Sequence, residues 1–194
     1  MSNNSAILAK PKKNSTVDEY LEIEKSVGNK HELFDGKIVA STGSSRRHNL
    51  IVTNITIAIG SRLRRQNHEL YANNMHVKLS DNNFCYPDVT IVKDEPKFLG
   101  KDANVLLNPS VIIEILPEQM MFRDEVRKLE KYLSLKSISE YLLVREEEMR
   151  VEHYAKQNPK QWVYKLYDAS DDVISLESIQ CKVSLSEFYS QIKY

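Results

Sequence analysis

The hexapeptide Val111-Ile112-Ile113-Glu114-Ile115-Leu116 constrains this chain more than any other stretch. Five apolar residues bounded by Ser110 and Pro117 read as a short strand buried on both faces. A carboxylate in its middle is costly to bury unless a cation or strong hydrogen bonds compensate it, so the fold must supply one or the other. A second largely apolar stretch, residues 84–92, poses the same problem at Asp88, which follows Pro87. Side chains alternate along a strand, so Glu114 shares a face with Ile112 and Leu116, and Asp88 with Tyr86 and Thr90. If the two strands are neighbours, both carboxylates converge on one cation. Hard oxygen ligands suit Mg²⁺ or Mn²⁺, and such an ion keeps several waters.

The rest of the composition limits what that pair can serve. A length of 194 residues allows one well-cored domain, expected over residues 16–194, with a flexible tail over residues 1–15. Hydrophobic content of 41% and charged content of 28% fit a soluble globular protein. Lys plus Arg and Asp plus Glu both number 27, so nucleic-acid contacts have to come from a local patch. Cys85 and Cys181 do not make a disulfide framework, and Cys85 reads as a buried core thiol. No secretory signal core and no membrane-length apolar run is present, so a cytoplasmic protein is expected. Five glycines form neither a P-loop nor a GxGxxG turn, which argues against nucleotide-cofactor folds.

Periodicity and turn chemistry predict a helix over 16–27, then a hairpin of 31–34 with 37–40 around Asp35-Gly36. A long helix over 44–66 follows, with Leu50, Val52, Ile55, Ile57, Ile59 and Leu63 as its apolar face. Strands are predicted over 71–79, 84–92 and 111–116, a helix over 118–136 and a strand over 140–144. A hairpin of 149–155 with 161–167, a strand over 173–181 and a helix over 184–192 complete the chain.

In the 118–136 helix, Phe122, Val126, Leu129 and Leu133 predict one buried stripe. Asp124, Lys128 and Tyr132, spaced by four, lie beside it, and Lys128 can point along the sheet toward Glu114. There an ammonium would orient an attacking water or stabilise a non-bridging phosphate oxygen. An Asp124–Lys128 surface ion pair, contributing a few tenths of a kcal/mol, is the competing explanation. His68, His76 and His153 show no ligand spacing for zinc. Arg46, Arg47, Arg123, Arg127 and Lys131 are candidates to track a phosphate backbone, although Glu118, Glu125 and Glu130 among them equally fit a solvated helix face.

These residues carry a resemblance. Pro87-Asp88, the strand around Glu114, Asp124-x-x-x-Lys128-x-x-x-Tyr132 and Glu140-Tyr141 resemble the Uma-two family. That family consists of restriction-endonuclease-like domains of the PD-(D/E)xK nuclease superfamily. His31-Glu32-Leu33-Phe34-Asp35-Gly36 and Arg47-His48 extend the similarity to about residues 17–168. The resemblance implies an α/β (α+β) fold, a mixed β-sheet flanked by helices, with Asp88 and Glu114 holding Mg²⁺ or Mn²⁺. Where the superfamily has its lysine, two residues after the second carboxylate, this chain has Leu116, and the family resembled has moved the lysine to the helix, matching Lys128. Glu32 and His48 match further family positions. Pro117-Glu118-Gln119 departs from the family's usual Ser-Pro-Ser.

The combined expectation is a metal-dependent DNA endonuclease with Asp88, Glu114 and Lys128 as catalytic residues. Glu32, His48 and Tyr132 would be additional site residues, and a homodimer would present two sites to two strands. The rival is a nuclease-fold module without catalysis that binds nucleic acid or a protein.

Overall fold

Local capping chemistry and turn chemistry set most of the element boundaries. A computed structural model describes residues 15–26, 28, 30–40, 44–64, 66–100, 104–117 and 122–194, the side chains of 122–125 excepted. The expected tail therefore lies almost wholly outside the described residues, as do Glu118 and Gln119. Helix α1 (Val17–Ser26) begins in a reciprocal box: Thr16 N–H donates to Glu19 and Glu19 N–H donates to Thr16 Oγ1. Strands β1 (His31–Phe34) and β2 (Lys37–Ala40) form the expected hairpin. Its turn places Asp35 and Gly36 at φ of 49° and 79°, the left-handed pair that such a hairpin requires.

Helix α2 (Arg46–Leu63) starts at Ser45, whose Oγ accepts the His48 N–H at 3.0 Å. It buries Ile51, Val52, Ile55, Ala58, Ile59 and Leu63. Ile57, expected on that face, is 64% exposed, because the 3.6-residue period carries it to the far side.

The expected strand over 71–79 is two strands, β3 (Glu69–Ala72) and β4 (His76–Ser80), lying in different sheets. The stretch 84–92 likewise divides into β5 (Asn83–Cys85) and β6 (Val89–Val92). Pro87 explains the second break, since it has no N–H to give a central ladder. Asn73, at φ 61°, turns the chain at the first. Asp88 therefore sits just before β6 and not inside a strand.

Strand β7 (Val105–Leu106) precedes β8 (Val111–Leu116), and α3 (Phe122–Ser134) leads across to β9 (Glu140–Arg145), parallel to β8. Strands β10 (Val151–Asn158) and β11 (Gln161–Tyr167) form the expected second hairpin. The expected strand over 173–181 is instead β12 (Val173–Leu176), a single 3₁₀ turn (Glu177–Ile179) and β13 (Cys181–Ser184). Gln180 reverses the chain there at φ 49°. The expected helix over 184–192 is the single turn α4 (Leu185–Phe188), capped by Ser184 and Glu187.

The described strands form a mixed sheet in the order β11-β10-β9-β8-β6-β3, a second in the order β2-β1-β5-β4-β7, and the pair β12-β13. Sheets with flanking helices make this the expected mixed α+β architecture. Strand β8 is buried along its whole length. Val111, Ile113 and Ile115 join α2 and Phe188 in one core, while Ile112 and Leu116 join Tyr132, Tyr141, Leu143 and Val77 in another. Glu114 shares the second face.

Candidate active site

The ladder between β6 and β8 brings the two singled-out carboxylates together. Val89 pairs with Ile113 and Thr90 with Ile112, so continuing the register one step sets Asp88 opposite Glu114. The Ile115 N–H, beyond the last ladder pair, donates to Asp88 Oδ2 at 2.8 Å. His48 Nε2 lies 3.1 Å from Asp88 Oδ1, and the Asn73 N–H donates to the Asp88 carbonyl at 2.7 Å. Three segments distant in sequence thus fix one aspartate.

Glu114 is only 6% exposed and receives one hydrogen bond, from the Tyr132 hydroxyl to Oε1. Its Oε2 accepts none among the described residues. Burial pushes its pKa up to about 7, and the neighbouring charges of Asp88 and Glu32 add to that, while Lys128 and the Tyr132 hydrogen bond pull it back. Tyr132 is fully buried and also lies 3.2 Å from Cys85 Sγ. Burial raises the phenol far above its ordinary range, so it stays a donor. Cys85 is the buried thiol expected, its pKa pushed up by the same burial.

Lys128 points inward. Its Nζ meets Glu32 Oε1 at 3.2 Å and Oε2 at 3.0 Å. The Asp124 side chain itself lies outside the described residues. Burial opposes the Lys128 charge, but Glu114 and Glu32 outweigh it and hold the ammonium above the usual lysine value. The inner stripe of α3 is therefore Lys128 with Tyr132. Of the expected buried stripe, Leu129 and Leu133 are half-buried and pack against the core around Ile112 and Tyr132, Val126 is half-buried, and the Phe122 side chain lies outside the described residues.

Glu32, Asp88, Glu114 and Lys128, with His48 and Tyr132 behind them, form one polar cluster on otherwise apolar walls. Among the described residues, no group of three or more His, Cys, Asp or Glu is arranged to cage an ion by itself. A pair of carboxylates nonetheless fits Mg²⁺, which is typically held by one or two carboxylates and completes its octahedron with water. Glu114, buried with a raised pKa and a single described donor, is the donor-set observation that favours a cation.

The basic candidates are less collected. Lys131 and Arg127 reach the hairpin's Asp35 at 2.7 and 3.6 Å, which lowers the pKa of that carboxylate, Lys131 contributing most. Arg47 pairs with Glu147 and lies over the Tyr194 ring, and Arg46 is exposed. The side chain of Arg123 lies outside the described residues.

The family model Uma2, described as "Putative restriction endonuclease", matches residues 17–186. The chain belongs to the Uma2 family. Among its relatives in Synechocystis sp. (strain PCC 6803), "Uncharacterized protein sll1609" is 30% identical over 149 residues, covering 76% of this chain and 84% of that protein. "Uncharacterized protein slr1290" is 25% identical over 178 residues, covering 91% and 92%. A crystal structure of "a putative nuclease belonging to DUF820" from Anabaena variabilis superposes with a TM-score of 0.73 at 18% identity, covering 91% of this chain and 98% of that one. The Uma2 chain thus has a nuclease-like fold, and no helix among its described residues is long and apolar enough to cross a membrane.

Sequence reasoning missed the residues behind the site. Ser45 Oγ bonds Glu146, a buried carboxylate beside His48 that joins in raising the His48 pKa. Glu24 accepts the Tyr86 hydroxyl at 2.6 Å. No local spacing signals these pairs, which join residues 101 and 62 positions apart.

Proposed function

We propose that this Uma2 chain is a divalent-metal-dependent endonuclease that hydrolyses phosphodiester bonds in DNA. One observation carries the reading: Glu114 is buried in a central strand with its pKa pushed up to about 7, opposite Asp88 and within the field of Lys128. Asp88 and Glu114 would hold Mg²⁺ or Mn²⁺. When bound, such an ion neutralises charge building on the scissile phosphate and lowers the pKa of a water.

The chain's own groups supply the rest. Tyr132 fixes Oε1 of Glu114, and His48 with the Ile115 N–H fixes both oxygens of Asp88, so the two carboxylates are oriented before any ligand arrives. Glu32 positions the Lys128 ammonium, which stabilises a non-bridging oxygen as its charge grows. Arg46, Arg123, Arg127 and Lys131 are the candidate backbone contacts, and Lys131 and Arg127 would have to leave Asp35 to make them. The residues from 16 onward are read as one domain, and a homodimer would address two strands.

The contact between Lys128 and Glu32 also favours a second reading, a fold retained for binding with its ammonium already neutralised. Cleavage assays on plasmid DNA and RNA with Mg²⁺ or Mn²⁺ separate the two. Lys128→Met keeps the aliphatic stem and deletes the charge, so cleavage should fall about 10²-fold or more, with DNA affinity nearly unchanged. A fully active Lys128→Met protein would remove Lys128 from the chemistry, and an inactive native chain that still binds DNA would establish the second reading.

A further inference from the structure

We infer that Glu24, on α1, is a positioning residue that clamps together the two segments carrying Glu32 and Asp88. Its carboxylate is only 9% exposed, and both oxygens are used. Oε1 accepts from the His31 backbone N–H at 2.9 Å and lies 2.8 Å from His31 Nδ1, which fixes the residue just before Glu32. Oε2 accepts from the Tyr86 hydroxyl at 2.6 Å, two residues before Asp88. One side chain therefore grips β1 and the Tyr86-Pro87-Asp88 connector at once.

The connector needs such a grip. Between β5 and β6 the chain leaves one sheet for the other, and Pro87 offers no N–H to anchor it. What holds it is side-chain chemistry. Tyr86 stacks on His76 with ring centroids 4.6 Å apart at 12°, and Lys30 Nζ lies over the Tyr86 ring, 5.6 Å from its centroid. Lys30 Nζ also donates to the carbonyl of Asn73, whose own N–H holds the Asp88 carbonyl. Tyr20 closes the group, its hydroxyl 2.7 Å from the His31 carbonyl and 2.8 Å from His76 Nε2. Helix α1 is thereby part of the site's support, although it places no side chain among the candidate ligands.

This inference rests on the reading of Asp88 as a ligand, and its test is built to fail separately from that reading. The Ile115 amide donates to Asp88 Oδ2, so its hydrogen exchange reports where that carboxylate sits with no metal present. Glu24→Gln cannot accept from both His31 and Tyr86, and Tyr86→Phe removes only the hydroxyl. In each variant Ile115 exchange should speed up about tenfold or more, while the other amides of β8 and β9 keep their native rates. Mn²⁺ affinity measured by calorimetry should fall about 10- to 100-fold in each, and the double variant should be little worse than either single one. Unchanged Ile115 exchange in both variants would overturn the clamp. So would a uniform rise across both strands with a lowered Tm, which marks Glu24 as general glue. If the native chain takes up no Mn²⁺, the metal reading falls and the exchange rates alone still decide the role of Glu24.

Discussion

Glu114 and Glu140 lie on adjacent parallel strands and are almost equally buried, at 6% and 2% exposure. Their surroundings differ completely. Glu140 starts β9 and faces the β12–β13 side, where it accepts the Glu177 N–H at 2.9 Å and the Ser178 hydroxyl at 2.6 Å, with His153 Nε2 at 3.4 Å. Glu114 lies toward the other end of β8, on the opposite face, and among the described residues accepts a hydrogen bond only from Tyr132. A buried carboxylate with its acceptors filled joins one layer to the next. One with a single protein donor and its pKa pushed to about 7 favours a positive charge beside it. Burial alone does not distinguish the two carboxylates; the number of protein donors each accepts does.

The largest effect that would break this comparison is on stability. Glu140→Ala should destabilise the fold by roughly 3–5 kcal/mol, because it strands two donors and a buried imidazole. Glu114→Gln should leave stability near pH 7 unchanged or improved, since it removes a poorly compensated charge. Urea unfolding of both variants measures this. A Glu114→Gln variant destabilised as badly as Glu140→Ala would make Glu114 structural as well.

A smaller effect appears in the pH dependence. Free Glu114 titrates near 4.5 and the folded group near 7, so between those values the folded chain binds more protons than the unfolded one. Its contribution to stability therefore falls as pH rises from 4.5 to 7 and is flat on either side, with a total of at most roughly 3 kcal/mol. The difference in unfolding free energy between the native chain and Glu114→Gln should follow that slope across the window. A difference independent of pH would place the Glu114 pKa at its ordinary value.

Much of this was legible in the sequence for a physical reason. Glu114 could be singled out because five apolar neighbours announce a buried strand, and Asp35-Gly36 because only one turn type suits it. Lys128 was found through helix spacing, and the same spacing placed Leu129 and Leu133 against the core, where they are half-buried, but gave no sign that Tyr132 is buried completely. Tertiary pairing with Glu32 holds Lys128 beside them. The breaks at Asn73 and Pro87 were missed because β3 and β6 belong to one sheet and β4 and β5 to another, which strand propensity does not encode. Glu140 entered only as part of a family motif, and Glu24 not at all, because their partners are set by folding.

The central claim is that Glu114, and not Glu140, holds a cation with Asp88. Calorimetric Mn²⁺ titrations of the native chain, Asp88→Asn, Glu114→Gln and Glu140→Gln, each shown to be folded, test it most directly. The account predicts one site in the native chain and in Glu140→Gln, and its loss in Asp88→Asn and Glu114→Gln. Equal Mn²⁺ uptake in all four proteins, or none in the native chain, would contradict it.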